Sequence, residues 1–304
     1  MRVCVVGELL CDFFAVDSGQ PHGVDVGQNF LRIAGGAPAN FATGLARQGV
    51  ATAMVGLVGD DPMGRFLCAA LASEGVDVSR ISTTRRAKTG VSFISVTPEG
   101  HRSFDFYRVP SADMLLDATC VEPHLPLQCE LVHFGSNSLI HREGRDAVSM
   151  AVAAAHARGA LRSCDLNLRA HLWPSLEVMR AQGEWCVRNS DWVKISEEEI
   201  EPLTGQRTHE RVAEWCFARG TRCVVLTLGA KGALLLQREQ PVLQVAADPC
   251  AVLDTTGAGD AFYSGFVGAR LRGGIDAAAL AAGARNAAAV CASIGATPGL
   301  RHDL

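Results

Sequence analysis

The sequence predicts an α/β fold in which helices cover both faces of a mainly parallel β-sheet. Short runs rich in β-branched residues alternate along the chain with longer segments rich in alanine and leucine. Such alternation is typical of repeated βαβ units. The composition is that of a soluble globular protein, because 48% of the 304 residues are hydrophobic and 20% are charged. The chain is also long enough to bury one large core.

The same pattern locates the main elements. Predicted strands are short apolar runs, at 2–6, 52–57, 130–134, 161–166, 192–195 and 222–227. Predicted helices are longer and alanine-rich, at 38–48, 62–74, 143–158, 209–219, 258–272 and 275–293. No internal repeat, low-complexity tract or linker interrupts the chain, so we expect one domain spanning residues 1–304.

Two segments, about 10–32 and 89–109, depart from this rhythm. Their residues alternate like antiparallel strands, and the second turns back at Pro98-Glu99-Gly100. The two segments are far apart in sequence but share this strand-like alternation. We therefore expect them to form a small β-sheet, built from two excursions of the main domain.

Charge and cysteine usage exclude several classes of protein. The net charge of −4 gives no reason to expect nucleic acid or an anionic membrane as partner. Eleven cysteines without any CxxC spacing are typical of buried thiols in a reducing compartment. No segment has the 18 or so uninterrupted apolar residues of a membrane span, and we interpret the apolar start of the chain as a buried strand. We therefore expect a cytoplasmic protein.

The segment DTTGAGDAFYSG, residues 254–265, places two glycines directly before a predicted helix. Exposed backbone N–H groups at a helix start form an anion site, and Asp260 would lie beside the anion. A dinucleotide fingerprint is excluded because Phe262 stands where its third glycine would be, and no GxxxxGK[ST] loop is present. The residues alone leave two alternatives, an anion site with an adjacent base or a tight turn with a helix cap.

A second glycine pair lies in GGAPANFA, residues 35–42. Gly35 and Gly36 permit close approach of the backbone to a ligand, and Asn40 offers both a donor and an acceptor. The alternative is a simple loop with Pro38 near a helix start. Two such loops in one chain favour a site for two ligands.

These two segments resemble the two signatures of the ribokinase-like (PfkB) sugar kinases. Four further segments match the family in the same order, namely GLVGDDPMGRFL (56–67), DLNLRAHLW (165–173), KISEEEIEPLTG (194–205) and TLGAKGALL (227–235). The resemblance covers essentially the whole chain. It implies a three-layer α/β/α ribokinase-like core with a small β-sheet lid, and lids that often pair into homodimers. It also implies phosphoryl transfer from ATP, with Mg²⁺, to a sugar hydroxyl.

The resemblance implies roles for individual residues at the phosphoryl-transfer end. Asp260 would be the general base, and the backbone N–H groups of Gly257, Ala258 and Gly259 would stabilise the transferred group. Glu199 would hold Mg²⁺ through water. The nucleotide side would include Lys194, Ser196, Thr227, Gly229, Gly232, Gly257, Gly259 and Asn286. Ser196 stands where many members have asparagine, a departure shared with the fructokinase-like branch. Some members are activated by a monovalent cation such as K⁺ near the counterpart of 254–256.

The segment SFDFYRVPSADMLL, residues 103–116, resembles the lid hinge of fructokinases. The sugar site would then combine Asp12, Gly35, Gly36, Asn40, Arg108, Arg169 and an apolar wall from Phe104 or Phe106. The expected substrates are D-fructose and ATP, and the expected product is fructose 6-phosphate. The alternatives are a 2-keto-3-deoxygluconate kinase and an aminoimidazole riboside kinase. A protein that binds these ligands without chemistry is disfavoured by the complete GAGD segment.

Overall fold

A computed structural model describes residues 1–15, 29–96, 102–125 and 128–302 of the protein. Residues 16–28 of the first strand-rich segment and the predicted turn at Pro98-Glu99-Gly100 lie outside the described residues, and so does the side chain of Phe104.

The strands are, in chain order, β1 (Val3–Val6), β2 (Leu10–Ala15), β3 (Phe30–Gly35), β4 (Thr52–Gly59), β5 (Asp77–Thr84), β6 (Gly90–Val96), β7 (Arg102–Tyr107), β8 (Leu131–Gly135), β9 (Leu161–Asp165), β10 (Trp192–Ser196), β11 (Cys223–Thr227), β12 (Ala233–Gln237) and β13 (Leu243–Val245). The helices are α1 (Ala37–Arg47), α2 (Pro62–Ser73), α3 (Ala118–Val121), α4 (Arg142–Ala157), α5 (Leu176–Arg188), α6 (Glu197–Thr204), α7 (His209–Phe217), α8 (Ala258–Leu271) and α9 (Asp276–Cys291).

The larger sheet has nine strands within the described residues, in the order β13-β12-β11-β10-β9-β8-β1-β4-β5. All neighbouring pairs from β11 to β5 are parallel. At one edge, the pairs β11–β12 and β12–β13 are antiparallel. Successive side chains of β1 point to opposite faces. Cys4 belongs to the apolar cluster that includes residues of α3–α7, and Val5 belongs to the cluster that includes residues of α1, α2, α8 and α9. The predicted fold class, a three-layer α/β/α core with a mainly parallel sheet and a separate small sheet, is confirmed.

The small sheet has the strand order β3-β2-β6-β7. Strands β2 and β6 are parallel, and the two outer pairs are antiparallel. β2 begins only a few residues after the end of β1, so the small sheet stands at the carboxyl edge of the larger one.

Several elements lie outside the sequence predictions, namely β5, β12, β13, α3, α5 and α6. β5 is an edge strand whose residues are mostly half-buried or exposed, so it lacks an apolar run. α5 buries only a narrow stripe of four residues. Because most of its other residues are polar, the sequence shows no clear helical periodicity of apolar residues.

The carboxyl ends of the parallel strands form one common edge. The register pairs Asp165 with Lys194, and Ser196 with Thr227, at the ends of β9, β10 and β11. Ligands of open α/β sheets bind outside such an edge. Of the helices in the described ranges, none combines the length and the apolarity needed to cross a bilayer.

Candidate active site

The glycines of the GAGD segment build the start of α8. Gly257 has φ 76° and precedes the first helical residue, and a Cβ at this position would lie 2.3 Å from the Cβ of Ala296. Only glycine fits this conformation and this space. The Ala258 N–H donates to the Thr255 carbonyl at 3.2 Å, which closes the turn. Of the three predicted anion-binding amides, that of Ala258 therefore already has a partner within the turn.

Asp260 and Asn40 join the two glycine-rich segments. The Asn40 Nδ2 donates to Asp260 Oδ2 at 2.8 Å, across 220 residues of sequence. Both side chains are buried, with Asp260 9% exposed. The other amide atom, Asn40 Oδ1, is buried without a hydrogen-bond partner in the described structure. Asn40 Oδ1 is therefore an available hydrogen-bond acceptor beside the carboxylate of Asp260.

The surroundings of Asp260 raise the pKa of its carboxyl group to about 7. Burial is the largest cause, and the negative charge of Asp165 adds to it. The hydrogen bond from Asn40 and the positive charges of Lys194 and Arg169 act in the opposite direction. A carboxyl group with such a pKa can accept a proton and release it near neutral pH.

A buried ion pair lies beneath the start of α8. The Lys194 Nζ lies 2.9 Å and 3.0 Å from the two carboxylate oxygens of Asp165. A Cβ on Gly259 would lie 2.9 Å from that Nζ, so the ammonium group packs directly against the helix start. Asp165 is absent from the predicted site residues; the signal available was an acidic residue at the end of a buried strand, within DLNLR.

Glu199 joins the ends of β9 and β10. Its two carboxylate oxygens accept backbone N–H groups, Oε2 from Ser196 at 2.7 Å and Oε1 from Leu168. Burial raises the pKa of Glu199, while the charge of Lys194 opposes the rise. Each oxygen keeps one further lone pair. No group of three or more His, Cys, Asp and Glu residues that could hold a metal ion lies within the described ranges.

The small sheet carries a second buried carboxylate, Asp12. The Ser92 hydroxyl, from the neighbouring strand, donates to Asp12 Oδ1. Burial raises the pKa of Asp12 to about 6, against the effect of that hydrogen bond. A Cβ on Gly35 would lie 2.1 Å from Asp12 Oδ2, and one on Gly36, whose φ is 101°, would lie 2.6 Å from the Glu8 carbonyl oxygen. Both glycines are therefore required for this packing.

Arg108 and Phe106 lie at the end of the small sheet. The Arg108 guanidinium pairs with Asp113, the Nε lying 3.1 Å from Oδ2. The ring of Phe106 stacks near that of His171, with 6.3 Å between centroids. His171 lies close after the exposed Arg169 in the loop that follows β9. The small sheet therefore contacts the loop whose arginine acts on Asp260.

Both the sequence and the fold match a known family. The model of the pfkB family carbohydrate kinases matches residues 1–303. The chain belongs to this family. It is an ATP-dependent sugar kinase, a phosphotransferase that acts on a sugar hydroxyl.

Individual relatives agree with this assignment. The kinase is 40% identical to fructokinase-1 of Zea mays over 261 residues, which are 84% of this chain and 79% of the relative. It is 30% identical to the structure of a fructokinase from Vibrio cholerae O395 with fructose, ADP and calcium ion bound, with a TM-score of 0.86 and coverage of 99% and 96%. A structure from E. coli described as a ribokinase II, with ATP and Mg²⁺, is 29% identical, with a TM-score of 0.89 and the same coverage.

Among the predicted nucleotide-side residues of the kinase, Asn286 makes hydrogen bonds within the protein. This side chain is fully buried, donates to the Ala261 carbonyl at 2.8 Å and accepts from the Arg301 N–H at 3.0 Å. These bonds tie α9 to the first turn of α8 and to Arg301, so the nucleotide-side role of Asn286 stays a prediction. Lys194, also expected to contact the nucleotide, directs its ammonium group to Asp165.

Three other predicted nucleotide-side residues lie near the end of β11. Thr227 is its last residue, half-buried, and Gly229 and Gly232 follow in the turn to β12 with φ 57° and 95°. A Cβ on Gly232 would lie 1.9 Å from the Val245 carbonyl oxygen, which explains the glycine by packing alone.

Proposed function

We propose that this PfkB-family kinase transfers the γ-phosphoryl group of ATP to D-fructose and forms fructose 6-phosphate. The observation that carries the proposal is the buried Asp260, with a pKa of about 7, held by Asn40 at the amino end of α8. The relatives named fructokinases support fructose as the acceptor.

In the proposed reaction, Asp260 accepts the proton of the sugar hydroxyl. The hydroxyl oxygen forms a bond to the γ-phosphorus, the bond from that phosphorus to the bridging oxygen breaks, and ADP leaves with the electron pair. Asn40 orients the carboxylate by its hydrogen bond to Oδ2. The amino end of α8, with Gly257 and Gly259, faces the negative charge of the transferred group.

Magnesium would accompany the phosphates of ATP. Glu199 fits a contact through water, because each of its oxygens accepts one N–H and keeps a lone pair. The ion would neutralise charge on the phosphates, while Glu199 and Lys194 would keep the ends of β9 and β10 in place. A monovalent cation near 254–256 would activate the enzyme, and turnover with K⁺ compared with choline tests this.

The sugar would lie between Asp260 and the small sheet. Asp12 and the unpartnered Asn40 Oδ1 are acceptors for sugar hydroxyls. Gly35 and Gly36 allow the backbone to approach, Phe106 and Arg108 close the pocket from the end of the small sheet, and Arg169 completes it opposite. In this proposal the small sheet is a lid within a single sugar-kinase domain of residues 1–304.

The lid offers a surface for a homodimer. Phe93 contacts Phe13, Phe30 and Tyr107 at centroid distances of 5.3, 5.3 and 5.5 Å. Phe30 and Tyr107 remain 42% and 61% exposed. Pairing of two lids would cover these rings, and Tyr107→Glu should then reduce the mass measured by light scattering to that of a monomer. A cytoplasmic location is part of the proposal, supported by eleven thiols that are all free.

The function is tested by coupled ADP release on a panel of acceptors. Fructose should give the highest kcat/KM among fructose, glucose, ribose, 2-keto-3-deoxygluconate and aminoimidazole riboside. Fastest turnover of the sugar acid or of the riboside would overturn the fructose assignment while leaving the kinase assignment intact.

A further inference from the structure

The guanidinium of Arg108 is occupied by carboxylates of the protein itself. Its Nε and Nη2 both donate to Oδ2 of Asp113, and the Arg108 side chain is only 11% exposed. The Asp113 side chain is fully buried, and its other oxygen accepts the Ser111 hydroxyl at 2.6 Å. Asp113 is thus held from both sides and directed at Arg108.

A second carboxylate, that of Glu8, faces the same arginine. Burial would lower the pKa of Arg108, but the charges of Asp113 and Glu8 outweigh it and raise this pKa. Glu8 is 4% exposed, and its Oε2 accepts the Ser138 hydroxyl at 2.5 Å. Its backbone carbonyl packs against Gly36, so this group adjoins the proposed sugar pocket.

The backbone of β6 packs closely against the ion pair. A Cβ on Gly90 would lie 2.8 Å from Asp113 Oδ1 and 3.3 Å from the Cγ of Arg108. Because the glycine of β6 packs against both partners, the ion pair is a built part of the lid hinge rather than a chance contact of long side chains.

The charges of this cluster do not favour an anionic ligand. One arginine faces two carboxylates, those of Asp113 and Glu8. An arginine binds a carboxylate or a phosphate best when its donor pairs are unoccupied. Here one donor pair is already taken, and an incoming anion would meet like charges.

We propose that Asp113, assisted by Glu8, is a specificity-determining residue that holds Arg108 away from anions, so that the pocket accepts uncharged polyhydroxy sugars and rejects sugar acids. The inference rests on the proposed position of the sugar beside the lid. It explains how an arginine can lie at the pocket of an enzyme for a neutral acceptor.

The experiment compares fructose with 2-keto-3-deoxygluconate as acceptors for the wild-type protein and for Asp113→Asn. The substitution keeps the shape of the side chain and removes its charge, so Arg108 becomes available to the sugar acid. We expect the ratio of kcat/KM for the sugar acid to that for fructose to rise by about tenfold or more. The double variant Asp113→Asn/Arg108→Gln should lose this gain.

Asp191→Asn is the matched control. Asp191 forms a buried ion pair with Arg162 at 3.0 Å, at the amino end of β10 and away from the lid hinge, and this variant should leave the ratio unchanged. If Asp113→Asn does not fold, Glu8→Gln carries the same test, with a smaller rise expected.

The experiment distinguishes failure of the role of Asp113 from failure of the proposed function. An unchanged ratio in a folded variant that still uses fructose overturns the role of Asp113. A wild-type protein that does not phosphorylate fructose but turns over another acceptor overturns the proposed function instead.

Discussion

Strands β9 and β10 are joined by two ion pairs, one at each end. At the amino end, Arg162 contacts both carboxylate oxygens of Asp191 at 3.0 and 3.1 Å. At the carboxyl end, Lys194 contacts both oxygens of Asp165 at 2.9 and 3.0 Å. The pairs are chemically alike and both are largely buried, yet their neighbours differ.

The neighbours of the two pairs decide what each pair can do. Asp191 also accepts the Arg162 backbone N–H, and Arg162 holds the pKa of Asp191 below its usual range although burial would raise it. These contacts lie at the amino ends of β9 and β10, opposite the carboxyl edge of the sheet. Lys194 and Asp165 instead act on Asp260 with opposite signs, because the carboxyl end of the sheet faces the start of α8. The amino-end ion pair therefore joins the two strands, whereas the carboxyl-end pair also changes the pKa of Asp260.

The largest expected effect is that of Asp260→Asn. If the carboxyl-end pair serves a general base, loss of that base should lower kcat by about 10²- to 10⁴-fold. ATP affinity, measured by calorimetry, should stay within a few-fold. The matched control is Asp276→Asn, which alters the first-turn aspartate of α9 and should leave kcat unchanged. A large loss of ATP binding in Asp260→Asn would indicate a helix cap instead.

The two ion pairs can be separated directly by Lys194→Met and Arg162→Met. Each removes the nearest cation from a buried carboxylate, and for Lys194→Met we expect the free energy of unfolding in urea to fall by about 3 kcal/mol. The loss for the more exposed Arg162 should be smaller. Only Lys194→Met should also lower kcat, since only Lys194 packs against Gly259. Equal turnover in the two variants would remove the distinction.

A change at the lid tests the sugar side of the site. Arg108→Ala removes a charged hydrogen-bond donor from the proposed pocket and should raise the KM for fructose by about tenfold, with a smaller change in kcat. Arg32→Ala is the control, because Arg32 also lies in the small sheet but stacks on Phe66, 3.8 Å from its centroid. An unchanged KM in Arg108→Ala would place this arginine outside the sugar site.

The smallest expected effect is a displaced pH profile in Asp165→Asn. Asp260 must be deprotonated to act as a base, so kcat/KM should rise as pH passes its pKa of about 7. Asp165 raises that pKa, so its neutralisation should move the rise to lower pH. Asp191→Asn should not move it. A displacement to higher pH in Asp165→Asn would contradict the electrostatic role.

Much of the fold was predictable because its signals are local. Buried parallel strands such as β1 and β11 are continuous apolar runs, and alanine-rich helices such as α9 show in composition alone. The edge strand β5 and the narrow-striped α5 were missed, since their stability comes from neighbours rather than from their own pattern.

The sequence by itself determined the α/β class, the two glycine-rich segments and the candidacy of Asp260 and Asn40. These depend on the periodicity of apolar residues, on the positions of glycines and on residue type, all of which are properties of short segments. Only the tertiary structure decided that Asp165 lies beside Asp260, that Asn286 bonds to the first turn of α8 and that Arg108 is held by Asp113. These depend on which strand ends and helix starts meet, and such contacts between distant residues arise from packing rather than from local sequence.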